Sequence, residues 1–249
     1  MSDTKNVVLC FMAHPDDAEI LCGGVLIRLG KLGWDVHIAT AANGDCGSEK
    51  LSREEIAAIR KQEGIAAAKS IGGTYHTLAE PDVNVVFNQA TNRKAIDLFR
   101  QINPTLVITH PREDYMLDHE QTHLLTRSAA FSFPIPNASS IPRHPDAHIP
   151  HLYYADPVEG KDPYSGQMVT PTTVIDISKQ IDQKAEMLAC HASQRDWLRA
   201  HHGMDEYLEA MKRFSAHRGS LIGVEYAEAF RQHLGHAFPE NDLLAELLK

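Results

Sequence analysis

The chain has 249 residues, 43% of them hydrophobic, which is enough for one substantial core in a single domain over residues 1–249. A net charge of −9, with no block of lysine and arginine, argues against nucleic acid or an anionic membrane as the main partner. No apolar stretch approaches the roughly 20 residues of a membrane span. The first residues are polar and do not form a secretion signal, and the cysteines are scattered without a CxxC pair. A cytoplasmic protein with reduced thiols is therefore expected.

The first predicted element is an apolar run over residues 7–12, typical of a buried parallel strand. It leads into residues 13–19, AHPDDAE. Apolar residues then recur with helical spacing at Leu21, Val25, Leu29 and Leu32. We therefore expect His14, Asp16 and Asp17 on a strand-to-helix turn at the carboxyl end of a strand, where open α/β sheets bind their ligands.

This turn has the residue types of a zinc site. Imidazole nitrogen and carboxylate oxygen are ordinary zinc ligands, and His14 and Asp17, three residues apart, can point at one spot. Asp16 would then face a zinc-bound water, whose pKa of about 7 lets a neighbouring carboxylate take its proton. The alternative is that both aspartates only cap the helix and that His14 is a buried, hydrogen-bonded histidine. The spacing alone leaves both interpretations open.

Strands and helices alternate along the following hundred residues. Strands are predicted over residues 34–41, 74–78 and 105–109. Helices are predicted from Ser52, which forms a capping box with Glu55, to about residue 70, and over 92–101, capped by Thr91. The alternation predicts an α/β fold: one Rossmann-like domain with a mostly parallel sheet, flanking helices and an active site at the carboxyl ends of the strands.

A second chemical cluster, residues 110–119 (HPREDYMLDH), follows the strand at 105–109. His119 is the natural third zinc ligand, because three protein ligands and one open position are typical of a catalytic zinc. Asp118 would orient a histidine from outside the ligand set. The alternative is that this Asp-His pair only caps a helix that begins there.

The second half of the chain is less regular. Five prolines make residues 131–151 an irregular segment, which we expect to be a lid or an oligomer contact. Strands are predicted over 151–155 and, at the sheet edge, 172–177, with a loop at 156–167 that walls the pocket. Helices are predicted from a cap at Asp176 or Ser178, with Ile181 on the apolar face, and over 204–214. The leucines of residues 242–248 need cover within this chain or in a homo-oligomer.

AHPDDAE after an N-terminal strand resembles the signature of the PIG-L (LmbE-like) family of zinc-dependent N-deacetylases, and the resemblance extends over most of the chain. It implies that His14, Asp17 and His119 bind Zn²⁺ and that Asp16 is the general base. Residues 191–194 (HASQ) and 223–230 (GVEYAEAF) resemble further family patterns. These two patterns imply structural or substrate-side roles.

Two substrate-binding residues rest on this resemblance. Residues 60–63 (RKQE) match a family R-x-x-E pattern, which implies that Arg60 reaches the substrate. Asp82 follows Pro81 where relatives have a carboxylate that binds sugar hydroxyls. From spacing alone, Arg60 would instead form a surface ion pair with Glu63, and Pro81-Asp82 would be a turn.

One position departs from the family pattern. Many relatives carry H-P-D-H where this chain has residues 116–119, MLDH, and their first histidine stabilises the tetrahedral oxyanion. Met116 cannot take that role, because a thioether has no proton to donate. His110, on the same rim, is the first choice as substitute and Tyr115 the second, unless the zinc stabilises the oxyanion alone.

These observations favour a metal-dependent hydrolase that removes an N-acyl group, expected to be acetyl, from an N-acetylglucosamine conjugate or a related small-molecule amide. A zinc-bound water would attack with Asp16 as base, and another divalent ion such as Fe²⁺ suits the same ligands. The alternative, based on Met116, is a weakly active or inactive metal-binding Rossmann-like protein. A mononuclear phosphoesterase is a third hypothesis. The phosphate-binding loop that it would need is not visible in the sequence.

Overall fold

The computed structural model describes residues 6–195 and 206–249. Its strands are β1 (Val7–Met12), β2 (Asp35–Ala42), β3 (Thr74–Glu80), β4 (Leu106–Thr109), β5 (His151–Ala155), β6 (Thr173–Asp176) and β7 (Ala227–Gln232). Its helices are α1 (Asp17–Lys31), α2 (Arg53–Ser70), α3 (Gln89–Ile102), α4 (Leu117–Ser132), α5 (Ile181–Ala189), α6 (Glu206–Ser220) and α7 (Leu243–Leu248). Short 3₁₀ turns cover Pro136–Ala138, Val158–Gly160 and Ser178–Gln180, and residues 192–195 are helical.

The strands form one seven-stranded sheet in the order β3-β2-β1-β4-β5-β7-β6. The first five strands run parallel, and β7 lies antiparallel between β5 and β6. The predicted α/β fold with a mostly parallel sheet is confirmed, and β6 is an edge strand as expected. No strand was expected at β7, whose alanines, glutamate and glutamine do not have the composition of a strand.

The alternation of side chains along β1 divides the interior into two layers. Val8, Cys10 and Met12 belong to a core that contains residues of α1, α2, α5, α6 and α7. The intervening residues Leu9 and Phe11 belong to a second core with α3 and α4. Because β1 is covered on both faces and lies next to the point where the strand order reverses, its carboxyl end is a sheltered place for a site.

A close approach fixes helix α1 against the C-terminal half of the chain. A Cβ at Gly24 would lie 2.7 Å from a methyl carbon of Ile177, so only glycine allows this packing distance. The carboxylate of Glu228, on β7, accepts hydrogen bonds from the backbone N–H groups of Gly24 and Val25, each at 2.7 Å. The same carboxylate is 2.8 Å from the ammonium of the buried Lys184. This supports a structural role for the YAEAF stretch.

Several element boundaries differ from the sequence prediction. Helix α3 begins at Gln89, because the side chain of Asn88 caps it and Thr91 takes the third helical position of that capping box. Helix α4 begins at Leu117, two residues before His119. Leu32 lies beyond the end of α1 and is 56% exposed, so it does not join the predicted apolar face. The first two residues of the helix predicted over 204–214 lie outside the described residues.

The proline-rich segment lies at the amino ends of the strands, on the side of the sheet opposite the turns that carry His14 and His119. Helix α4 continues into it as far as Ser132, and β5 then begins beside β4, where His151 N–H donates to Thr105 O. The guanidinium of Arg100 donates to carbonyl oxygens of the segment, including those of Phe133 and Ser139. The segment is therefore held against α3. The prediction that it forms a lid over the carboxyl ends of the strands is wrong, and its other predicted role, an oligomer contact, stays a prediction.

The C-terminal leucines find cover within the chain. Leu244 and Leu248 of α7 are buried in the core that contains α1 and α5. Tyr153 anchors the helix, because its hydroxyl donates to Asp242, whose carboxylate caps α7. Across the described ranges 6–195 and 206–249, no helix combines the length and the apolar character needed to cross a bilayer.

Candidate active site

The turn between β1 and α1 is tightly hydrogen bonded. Asp17 is the first residue of α1, and its Oδ2 accepts a 2.7 Å hydrogen bond from the backbone N–H of His14. Asp16, just before the helix, has a φ of 118° and a ψ of −25°, a conformation that L-residues rarely adopt. Such strain is kept where a structure needs a side chain in one direction, and it is common at functional sites.

The neighbouring strands β1 and β4 bring the two predicted clusters together. Phe11 pairs with Thr109, so the residues that follow each strand meet at one rim of the sheet. The Nδ1 of His14 lies 3.5 Å from Asp17 Oδ2, and the Nε2 of His119 lies 3.6 Å from the same oxygen. Ligands at zinc distances of about 2.0–2.1 Å in a tetrahedral arrangement stand about 3.3 Å apart. The spacing of these three buried groups therefore suits a metal ion.

Each imidazole of this triad has a carboxylate on its other nitrogen. His14 Nε2 lies 3.2 Å from Asp118 Oδ2, and His119 Nδ1 lies 3.1 Å from Asp114 Oδ1. Asp118 also accepts hydrogen bonds from backbone N–H groups of the loop after β3. Such carboxylates fix the orientation and tautomer of metal-binding histidines. Both ring nitrogens of His119 are buried without a hydrogen bond of good geometry among the described residues, and Nε2, which faces Asp17, is the one that a metal would satisfy.

The charged groups of the site shift the pKa values of His14 and Asp17. Burial alone would lower the pKa of His14, but the carboxylates of Asp118 and Asp17 outweigh it and raise that pKa to about 10. Burial alone would raise the pKa of Asp17, but interactions with the neighbouring histidines, of which that with His119 is the largest, outweigh it and hold that pKa well below its usual range. Asp17 is therefore a carboxylate at neutral pH, as a metal ligand must be.

Within residues 6–195 and 206–249, two other groups of side chains have metal-like spacing. His110, Asp114 and His119 lie together, but their 3.1 Å His119–Asp114 contact is a hydrogen-bond distance and the group is closed from solvent. Asp45, Cys46 and Asp82 form the second group, where Asp45 is paired with Arg53 and backbone N–H groups occupy Asp82. The triad of His14, Asp17 and His119 differs because the Nε2 of His119, which faces Asp17 Oδ2, has no hydrogen-bond partner among the described residues.

His110 lies beneath the triad rather than at its opening. It is fully buried, its Nε2 accepts a 2.9 Å hydrogen bond from Ala13 N–H, and its ring stacks on His119 with centroids 3.9 Å apart. Burial lowers its pKa, and neighbouring His119 lowers it further. Because Nε2 is an acceptor here, it does not also donate to Asp17, which lies 3.2 Å away.

Arg60 contacts the turn and not Glu63. Its guanidinium is buried and donates to Pro15 O at 2.6 Å and to Asp16 Oδ2 at 3.1 Å. Glu63 instead accepts hydrogen bonds from the backbone and the hydroxyl of Ser193, within the HASQ stretch. The surface ion pair that helical spacing suggests does not form.

Asp82 holds the loop between β2 and α2. Its carboxylate accepts hydrogen bonds from the N–H groups of Gly44 at 2.7 Å and Cys46 at 3.1 Å, and Arg60 lies 4.0 Å away. Gly44 has a φ of +80°, and a Cβ there would lie 2.5 Å from the side chain of Arg60. The loop therefore needs glycine both for its backbone conformation and for its contact with Arg60.

Tyr115 and the loop after β5 line a cavity beside the site. The Tyr115 ring meets His119 edge-on, with centroids 5.2 Å apart, and 65% of the residue is exposed. A cavity of about 420 Å³ lies between Asp114, Tyr115 and residues 157–166. The loop thus lines a cavity next to the β4–α4 turn, and its role as a wall of the substrate pocket stays a prediction.

Sequence reasoning missed two partners of this site. Asp114, which orients His119, stands in a run of charged residues and has no distinguishing spacing. Tyr207, on α6, donates from its hydroxyl to Asp16 Oδ2 at 2.5 Å from 191 positions away in the chain. Only the packing of α6 against the core brings this hydroxyl to the turn, so no local sequence signal could reveal it.

Comparison with known proteins adds a family to this geometry. Residues 9–130 match the family model of PIG-L, described as GlcNAc-PI de-N-acetylase. This part of the chain is therefore similar to the PIG-L family. His14, Asp16, Asp17, Arg60 and His119 all lie within the PIG-L match, whereas Tyr207 lies beyond it.

Individual relatives extend this similarity over most of the chain. A diacetylchitobiose deacetylase from Thermococcus kodakarensis is 26% identical over 246 residues, covering 92% of this chain and 84% of the relative. The structure of N,N'-diacetylchitobiose deacetylase from Pyrococcus horikoshii with an inhibitor has a TM-score of 0.78 at 25% identity, covering 96% of this chain and 89% of that one.

A 4-carboxy-2-hydroxymuconate hydratase from Pseudomonas putida shares the fold, with a TM-score of 0.76 at 20% identity, covering 95% of this chain and 99% of that one. This neighbour shows that the fold hosts more than one reaction, so the reaction of the present chain has to be argued from its site.

Proposed function

We propose that this protein is a metal-dependent N-deacetylase of small N-acetylated sugars, such as conjugates of N-acetylglucosamine. The observation that carries the proposal is the triad of His14, Asp17 and His119 with Asp16 directly beside it. The deacetylase names of the relatives support it, and favour it over the hypothesis of an inactive metal-binding protein.

The metal site has the composition of a catalytic zinc centre. We assign His14 Nδ1, an oxygen of Asp17 and His119 Nε2 as the ligands, since Asp118 and Asp114 engage the other imidazole nitrogens. Fe²⁺ or another divalent ion suits the same donors. A bound ion would acidify a water molecule and polarise the acyl carbonyl.

Asp16 is the base in this proposal. Burial raises its pKa, while the guanidinium of Arg60 opposes the shift. Its carboxylate accepts a proton from the attacking water and returns it to the amine nitrogen as the C–N bond breaks. The acetate and the free amine then leave.

Other residues support this chemistry in different ways. Met116 cannot donate a hydrogen bond to the oxyanion. We assign this role to Tyr115 rather than to the buried His110, because the Tyr115 side chain is exposed beside the site. His110 supports His119 from below. Arg60 and Asp82 shape the turn and the loop beside the sugar instead of forming most of its hydrogen bonds.

The test is acetate release from N,N'-diacetylchitobiose and N-acetylglucosamine by the zinc-loaded protein. Asp16→Ala should lower kcat by about 10²- to 10⁴-fold, the range for losing a general base, and leave the zinc content unchanged. Asp182→Ala, at an exposed position of α5, is the control. Full turnover by Asp16→Ala would refute the base. A zinc-loaded wild type that releases no acetate from a panel of N-acetylated sugars would refute the activity.

A further inference from the structure

Among the described residues, hydrogen bonds hold the carboxylate of Asp16 on one side only. Its Oδ2 accepts hydrogen bonds from the hydroxyl of Tyr207 at 2.5 Å and from the guanidinium of Arg60 at 3.1 Å. Within the described ranges, no hydrogen bond reaches Oδ1. The two oxygens are therefore unequal, and only Oδ1 remains to exchange a proton.

The phenol of Tyr207 is suited to remain a donor. Burial raises its pKa well above its ordinary value, and the adjacent charge of Asp16 raises it further. A hydrogen bond from a neutral phenol to a carboxylate is among the stronger kinds in proteins. Because α6 packs on the core through Met211, the hydroxyl is presented by a regular element and not by a loop.

The strained backbone of Asp16 explains why a contact that stabilises the turn is needed. At a φ of 118° the residue is strained, and a strained turn keeps its geometry only when its surroundings over-determine it. Arg60 ties down both the carbonyl of Pro15 and the Asp16 carboxylate from α2. Tyr207 approaches the same oxygen from α6, so donors from two separate helices converge on it.

We propose that Tyr207 is a positioning residue that fixes the orientation of Asp16 and so assigns proton transfer to Oδ1. The inference rests on the proposed role of Asp16 as base. It concerns a residue outside residues 9–130, the range of the family match. Because Tyr207 acts through Asp16, its removal should slow proton transfer and leave substrate binding almost untouched.

The first measurement separates kcat from KM. Tyr207→Phe should lower kcat by about 10- to 100-fold, the value of a hydrogen bond to a charged group, with little change in KM or zinc content. Tyr153→Phe is a matched control, since its buried hydroxyl donates to Asp242 at 3.0 Å far from the site. The control should lower the melting temperature and keep kcat. Referring kcat to the zinc-loaded fraction removes any contribution from unfolded protein.

A double-mutant cycle tests whether Tyr207 acts through Asp16. In the Asp16→Ala background, Tyr207→Phe should cause no further loss of kcat, because its partner is gone. Losses that multiply would refute the proposal and show a general structural role, and a rise in KM alone would show a substrate contact. An unchanged kcat for Tyr207→Phe together with an inactive Asp16→Ala would sink this inference and leave the deacetylase proposal intact. Full activity of Asp16→Ala would sink both.

Discussion

The two turns that meet at the site are built in opposite ways. The β1–α1 turn is short, and hydrogen bonds from Arg60 and Tyr207 fix its Asp16 carboxylate. The β4–α4 turn is longer and combines buried groups, such as Asp114, with Tyr115, which is largely exposed. The difference suggests that the first turn performs proton transfer, which needs fixed geometry, and that the second completes the metal site and meets the substrate.

The largest effect is expected from the one metal ligand that the second turn provides. His119→Ala should weaken zinc binding by more than about 100-fold, since losing even an outer-sphere partner of a metal ligand costs 10- to 100-fold. Zinc titration and acetate release measure the two consequences. His144→Ala, at an exposed position, is the control. A variant that keeps tight zinc binding would remove the second turn from the metal site.

An intermediate effect is expected at the support of the first turn. Arg60→Lys should lower kcat by about 10- to 100-fold, because an ammonium cannot reproduce the planar guanidinium that bonds both Pro15 O and Asp16. Arg53→Lys is the matched control, since Arg53 makes a half-exposed pair with Asp45 and such pairs contribute little. Equal kinetics for the two variants would mean that the first turn does not depend on its buried arginine.

The smallest effect is expected at the rim. Tyr115→Phe should lower kcat by about 10-fold or less, because a solvent-exposed hydroxyl stabilises an oxyanion less than an enclosed donor does. Tyr164→Phe, a more exposed tyrosine of the loop after β5, should leave kcat unchanged. Steady-state acetate release gives both values. A loss at Tyr115 greater than that of Arg60→Lys would reverse the division of roles between the turns.

Much of this site is local in sequence and could therefore be predicted. Strand β1 and the AHPDDAE stretch place His14, Asp16 and Asp17 on one turn, and the parallel order brings His119 to it. The capping box of Ser52 and Glu55 likewise forms as its spacing predicts. These features depend on periodicity and on short-range hydrogen bonds, which a single sequence displays directly.

The remainder depends on packing between distant elements. Thr91 was expected to cap α3, but Asn88 offers an equally good side chain three residues earlier, and the choice between them follows from tertiary fit. Strand β7 has a composition that does not favour a strand and is stabilised by its two neighbours. Arg60 was expected to face the substrate, and only the fold shows that Pro15 and Asp16 engage its guanidinium.

The Glu228 contact means that the segment from β7 onward is not a detachable module. All the proposed zinc ligands and Asp16 lie before residue 130. Helix α1 is nevertheless hydrogen bonded to β7, because the backbone N–H groups of Gly24 and Val25 donate to the Glu228 carboxylate. A truncation ahead of β7 would strand the ammonium of Lys184 in the interior without its counter-charge, at a cost of about 3–5 kcal/mol. A shortened protein that carries every ligand should therefore fail to fold, and exchanging only the segment from β7 onward between relatives should require a matching partner for Lys184 in the new segment.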